Sequence, residues 1–103
     1  MKKELVQKLI EKVKSSDNYV VIHTNIARGR GINGVEYKTF HEYTDIQHNR
    51  DEIYYSVEDL AEDYVYIVET HKSNNSSKRV YKDYYIEYDS ITMIVGDEQS
   101  RHY

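Results

Sequence analysis

His41-Glu42, with Asp45 and His48, gathers two imidazoles and two carboxylates in one short segment, the donor types that hold a metal ion. Their spacing matches neither HExxH nor another zinc pattern, and residues 35–48 read as strand as readily as helix, so nothing places the donors on one face. No metal and no cofactor is therefore expected. His23 falls in an apolar run and reads as a packed sheet histidine, while His71 and His102 read as surface residues. Cysteine is absent, which removes thiolate chemistry and disulfides and leans toward a reducing compartment. No serine sits in a GxSxG elbow, and plentiful carboxylates are not an acid–base pair unless their surroundings separate their pKa values. The chain reads as a protein that is not an enzyme.

Three surface features suit binding instead. Residues 35–71 carry Lys38 and Arg50 against ten acidic side chains, whereas residues 1–34 are net basic and residues 72–103 are balanced. Within this acidic centre, Asp51, Glu52, Glu58, Asp59, Glu62 and Asp63 are the candidate contacts for a basic groove. If residues 57–63 are helical, Glu58 stacks on Glu62 and Asp59 on Asp63, like-charge pairs that oppose each other by about 0.2–0.5 kcal/mol. The second feature is tyrosine, twelve of them against one phenylalanine and no tryptophan. Alternation along Val80 to Tyr88 puts Val80, Tyr84, Ile86 and Tyr88 on one face and Tyr81, Asp83, Tyr85 and Glu87 on the other, so Tyr81 and Tyr85 are expected at the surface. There they could anchor a protein interface or stack bases. The third is Arg28-Gly29-Arg30-Gly31, whose open backbone and guanidiniums suit phosphate, although it has neither the P-loop nor the GxGxxG pattern.

The elements that must position these residues follow from periodicity. Leu5, Val6, Leu9, Ile10 and Val13 recur at helical spacing among lysines, which predicts an amphipathic helix over 2–15, ending at Ser15-Ser16-Asp17-Asn18. Tyr19 to Thr24 reads as a buried strand, Asn25 to Gly34 as a mobile glycine-rich loop, and Val35 to Ile46 as a strand. Ser56-Val57-Glu58-Asp59 resembles a capped helix start and predicts a short second helix near residues 57–63. Tyr64 to Thr70 and Val80 to Tyr88 form a hairpin about the polar tip 72–78, and Ile91 to Val95 is the last strand. The expectation is one α+β domain over 1–96, an N-terminal helix packed on a mainly antiparallel sheet of four to five strands, with a polar tail at 97–103.

A short, acidic, cysteine-free chain rich in Lys, Asn, Ile and Tyr is similar in style to small phage or plasmid proteins that inhibit host nucleases, including anti-CRISPR and anti-restriction DNA mimics. The likeness is one of composition. It implies an inhibitor whose acidic residues and tyrosines occupy the basic groove of a host nucleic-acid-binding protein or nuclease. The alternative is a single-strand nucleic-acid binder in which Arg28, Arg30, Lys78 and Arg79 follow phosphates while Tyr81 and Tyr85 stack bases. A cytoplasmic location, no membrane partner and a homodimer paired through tyrosine-rich sheet faces complete the expectations; no signal-peptide core and no bilayer-spanning stretch are present.

Overall fold

The computed structural model describes residues 1–46, 52–73 and 78–98, with 43–46 described as backbone only. One helix, α1 (Lys3–Ser15), precedes the strands β1 (Tyr19–Gly31), β2 (Gly34–His41), β3 (Tyr43–Ile46), β4 (Glu52–Leu60), β5 (Tyr64–Lys72), β6 (Arg79–Glu87) and β7 (Ile91–Asp97). A 3-10 turn at Tyr88–Ser90 joins β6 to β7. The class is α+β, as expected, but the strands form two antiparallel sheets, ordered β2-β1-β7 and β3-β4-β5-β6, rather than one sheet of four or five.

The helix forms where the apolar period predicts. Val6 and Ile10 are buried, and Ser15 and Ser16 hydroxyls bond back to the Lys12 carbonyl, competing for the last turn. Asp17 then takes a φ of 56°, and the Asn18 N–H reaches the Val13 carbonyl, so the helix closes on a left-handed residue. Gly96 of β7 lets the helix come close, since a Cβ there would meet Val13 at 3.2 Å.

Two corrections concern segments where local propensity misled. Asn25 to Gly34 is not a mobile loop: β1 continues to Gly31 and pairs with β2 through Ala27↔Tyr37, Gly29↔Glu36, Arg30↔Val35 and Gly31↔Gly34. Gly29, at φ 143°, absorbs an irregularity in this ladder, and Gly34, at φ 121°, closes the hairpin after Ile32-Asn33. Residues 57–63 do not form a second helix. Tyr54, Tyr55 and Val57 favour the pleat, and pairing with β5 from Glu52↔Lys72 to Leu60↔Val65 carries Ser56 to Leu60 as strand. The acids therefore never stack at helical spacing. Glu58 falls at a bulge between Val57↔Ile67 and Asp59↔Tyr66, while Glu62 and Asp63 make the β4–β5 turn.

The two sheets are joined at Glu42, which separates β2 from β3. Its N–H donates to the Val20 carbonyl at 2.9 Å and its carboxylate accepts from the Val20 N–H at 3.2 Å, so a side chain completes the ladder where the strand turns from one sheet to the other. The inner faces share one core of Val20, Ile22, Phe40, Val65, Ile67, Ile86, Tyr88 and Ile91, onto which α1 sets Val6 and Ile10. Tyr88 is anchored by its hydroxyl, which donates to the Ala61 carbonyl at 2.6 Å. Fully buried Ile22 and fully exposed Ile32 provide the contrast that tests this core. Ile22→Ala should lower unfolding free energy by about 2–5 kcal/mol in urea titration, and Ile32→Ala should change it by less than about 0.5 kcal/mol.

Candidate functional site

Register in the second sheet sorts its side chains into rows. On the outer face Tyr54, Thr70 and Tyr81 form one row, Ser56, Val68 and Asp83 the next, then Asp59, Tyr66 and Tyr85, with Tyr64 beside Glu87 at the end. Tyr66 and Tyr85 lie stacked, centroids 5.1 Å apart and planes 9° from parallel, and Tyr64 meets Tyr85 edge-on at 5.4 Å. Such pairs stiffen the rings in place. Tyr81 and Tyr85 stay about 60% exposed, as alternation along β6 implied.

Carboxylates surround this array, and among the described residues Lys3, at Glu62, is the one lysine or arginine that pairs with any of them. Glu58, Asp59, Asp83 and Glu87 are exposed, and like Asp63 they make no ion pair with lysine or arginine among the described residues. Asp83 accepts from the Tyr66 hydroxyl at 2.7 Å, a bond that leaves its charge intact. The Tyr66 phenol is pushed up to about 12, first by that bond, then by desolvation and by the charges of Asp83 and Glu58. Glu62, 90% exposed, meets Lys3 at 3.6 Å, a contact worth little in water. With Asp63, Glu87 and Asp89 it borders a shallow depression facing the start of α1.

The sequence-derived set is thus only partly gathered. Glu58, Asp59, Glu62 and Asp63 sit at the pole of the sheet where Tyr85 lies. Glu52 is at the opposite end of β4, held by the Tyr54 hydroxyl, in a row with Lys72 and Arg79 that gives that end a different sign. Asp51 lies outside the described residues. Asp83, Glu87, Tyr64 and Tyr66 belong to the face but were not among the expected contacts; strand parity already carried Asp83 and Glu87, and aligning β5 with β6 sets Tyr64 opposite Glu87 and Tyr66 opposite Tyr85.

The inner face of the same sheet holds a cluster that sequence reasoning missed. Lys38 of β2 lies with its ammonium 4.9–5.4 Å from the ring centres of Tyr55, Tyr84 and Phe40. It donates to the Tyr55 hydroxyl at 2.7 Å and reaches the Glu69 carboxylate at 3.9 Å, while the Tyr84 hydroxyl donates to Glu69 at 3.3 Å. Burial lowers the Lys38 pKa, Glu69 partly restores it, and the charges of Arg28 and Lys82 lower it further. Tyr55 is raised by burial, by its hydrogen bond to Glu69 and by that carboxylate's charge. The available signal was the row Tyr55, Glu69, Lys82, visible only once β4, β5 and β6 are aligned.

The residues of the nucleic-acid alternative are divided. Arg28 is exposed on the arm made by β1 and β2, where its charge reaches Lys38 and Tyr55. Tyr81 and Tyr85 are on the outer face with Arg79, and Arg30 is exposed near the arm's tip. Lys78, which has a partner, directly precedes β6. Of the histidine cluster, His41 bonds Asp97 at 2.7 Å and Glu42 is committed to Val20; the Asp45 side chain and His48 lie outside the described residues. Among the described residues no three His, Asp or Glu side chains gather as a metal site, and no helix is long and apolar enough to cross a membrane. No protein-family model, curated protein or solved structure matches the chain.

Two titrations check this geometry. Asp83→Asn should bring the Tyr66 phenol from about 12 down toward its ordinary 10.0, read from its ring carbon shift against pH. Tyr55, whose folded pKa is raised, contributes stability that is complete below its unfolded value of 10.0 and is lost as pH rises through the folded one. Tyr55→Phe should accordingly flatten the fall of urea stability above pH 10, measured side by side with the parent chain.

Proposed function

We propose that this is a non-enzymatic binding protein that docks its tyrosine-rich, carboxylate-bordered sheet face into a basic groove of another macromolecule. The observation that carries the reading is the Tyr64–Tyr85–Tyr66 array bordered by Glu58, Asp59, Asp83 and Glu87, none of which is neutralised by a lysine or arginine among the described residues. Ordered tyrosines present rigid amphipathic area at small entropic loss, and uncompensated carboxylates steer the face toward positive potential. The fold does not need either feature in order to close its core, which lies on the other side of the sheet.

The partner such a face suits is a protein whose basic groove ordinarily holds nucleic acid, and the action is occupancy. On this reading the chain is an inhibitor of a nucleic-acid-binding protein or nuclease, in the manner of small phage or plasmid antagonists. Tyr85, stacked on Tyr66 with Asp83 and Glu87 flanking it along β6 and Asp59 beyond Tyr66, is a central anchor with charge around it, the arrangement in which a few side chains dominate binding.

The test is capture from a host lysate with the parent chain and two variants, followed by displacement of labelled DNA or RNA from the captured partner. Tyr85→Ala should weaken capture by about 2 kcal/mol or more, and reversal of Glu58, Asp59, Asp83 and Glu87 to lysine should abolish it. Capture that survives both, or a partner that binds nucleic acid equally well in the presence of the chain, would overturn the reading. A gel shift with single-stranded nucleic acid at low salt, weakened steeply by added salt, would favour the nucleic-acid alternative instead.

A further inference from the structure

The open end of the inner face, remote from α1, has its own chemistry. In the row Tyr55, Glu69, Lys82, the Lys82 ammonium lies 5.2 Å from the Tyr84 ring centre, while Lys38 sits on the same ring at 5.3 Å. Arg28 adds a third cation within electrostatic reach of Lys38. Glu69 is the carboxylate that meets Lys38, and it is shared with the hydroxyls of Tyr55 and Tyr84. Glu36, the other acid on this side of the arm, is turned to Gly31, where an added Cβ would fall 2.5 Å from its carboxylate oxygen. Lys82 and Arg28 make no ion pair among the described residues.

Three cations around one carboxylate, two of them exposed and one half-buried among aromatic rings, repel one another in a setting that screens charge less than water does. The fold gains nothing from that excess. An incoming oxyanion reverses its sign, since Lys38 has three donors and only one is used by Tyr55. The adjacent row on the same face is Ile53, His71 and Val80, one strand repeat further on, and Val80 is 63% exposed there although it points to the inner side. Cation and apolar surface are therefore neighbours.

We infer that this end of the inner face binds a small organic anion, its carboxylate received by Lys38 and Lys82 within reach of the Arg28 charge, and its apolar body laid on Val80, the next residue along β6 on the same face as Lys82. The site is separate from the outer-face docking surface and does not depend on it. Lys38 would fix the oxyanion, and the exposed Lys82 would meet it from the solvent side.

The experiment is an amide NMR titration of the whole chain with benzoate, acetate and inorganic phosphate at constant ionic strength, beside Arg28→Ala/Lys82→Ala. Neither substituted residue is in the core, so the variant should fold, and its amide spectrum away from the site confirms that it does. Benzoate should shift residues 38, 55, 80, 82 and 84 saturably and more tightly than acetate or phosphate. In the variant its affinity should fall about tenfold or more. No saturable shift with any of the three anions, equal binding of all three, or unchanged benzoate affinity in the variant would overturn the assignment.

Discussion

Everything in this molecule depends on which side of the β4-β5-β6 sheet is buried. Val57, Leu60, Val65, Ile67, Tyr84 and Ile86 point inward, and α1, β1 and β2 supply Val6, Ile10, Ile22 and Phe40 against them. Because side chains alternate along β5, β6 and β4, with the bulge at Glu58 resetting the parity of β4, burying that set obliges Tyr54, Tyr64, Tyr66, Tyr81 and Tyr85 to face outward. A slip of one residue would exchange the two sets and bury Asp83 and Glu87. The tyrosine face is thus a geometric consequence of the core, while its crowd of carboxylates is a property of the sequence that the core does not require.

The joint at Glu42 has the same character. A continuous strand from Gly34 to Ile46 would hold β2 and β3 in one plane, whereas the Glu42 side chain takes over the Val20 N–H and frees the chain to change sheets. That turn brings β2 across to β4, and so brings Lys38 and Phe40 onto Tyr55 and Tyr84. One carboxylate on an otherwise ordinary strand therefore sets up the inner aromatic cluster.

How much of this could be read from residues alone varies with the kind of signal. The helix, the first strand and the β5–β6 hairpin were legible because their apolar periods are unambiguous, and the split of Tyr81 and Tyr85 from Tyr84 and Ile86 followed from parity. Ser56 to Asp63 misled because a serine followed by acids is a sound local helix signal, and only the partner strand, with Ile67 opposite Val57, overrides it. Asn25 to Gly31 misled in the opposite way: glycines that tolerate a loop equally tolerate the bulged ladder seen with β2. The Lys38 cluster was invisible because its members come from three separate strands and from no motif. Charge counting located an acidic centre correctly in sequence, yet space divides it, leaving Glu52 with Lys72 and Arg79 and bringing Asp83 and Glu87 onto the same outer face as Asp59.

The outer and inner faces carry the same residue type, and this permits a direct decision between them. With tyrosine rings labelled with carbon-13, addition of the captured macromolecular partner should broaden or shift Tyr64, Tyr66, Tyr81 and Tyr85 while Tyr55, Tyr84 and Tyr88 hold their positions. Movement confined to the second group, with the first unchanged, would contradict the claim that the outer sheet face is the docking surface.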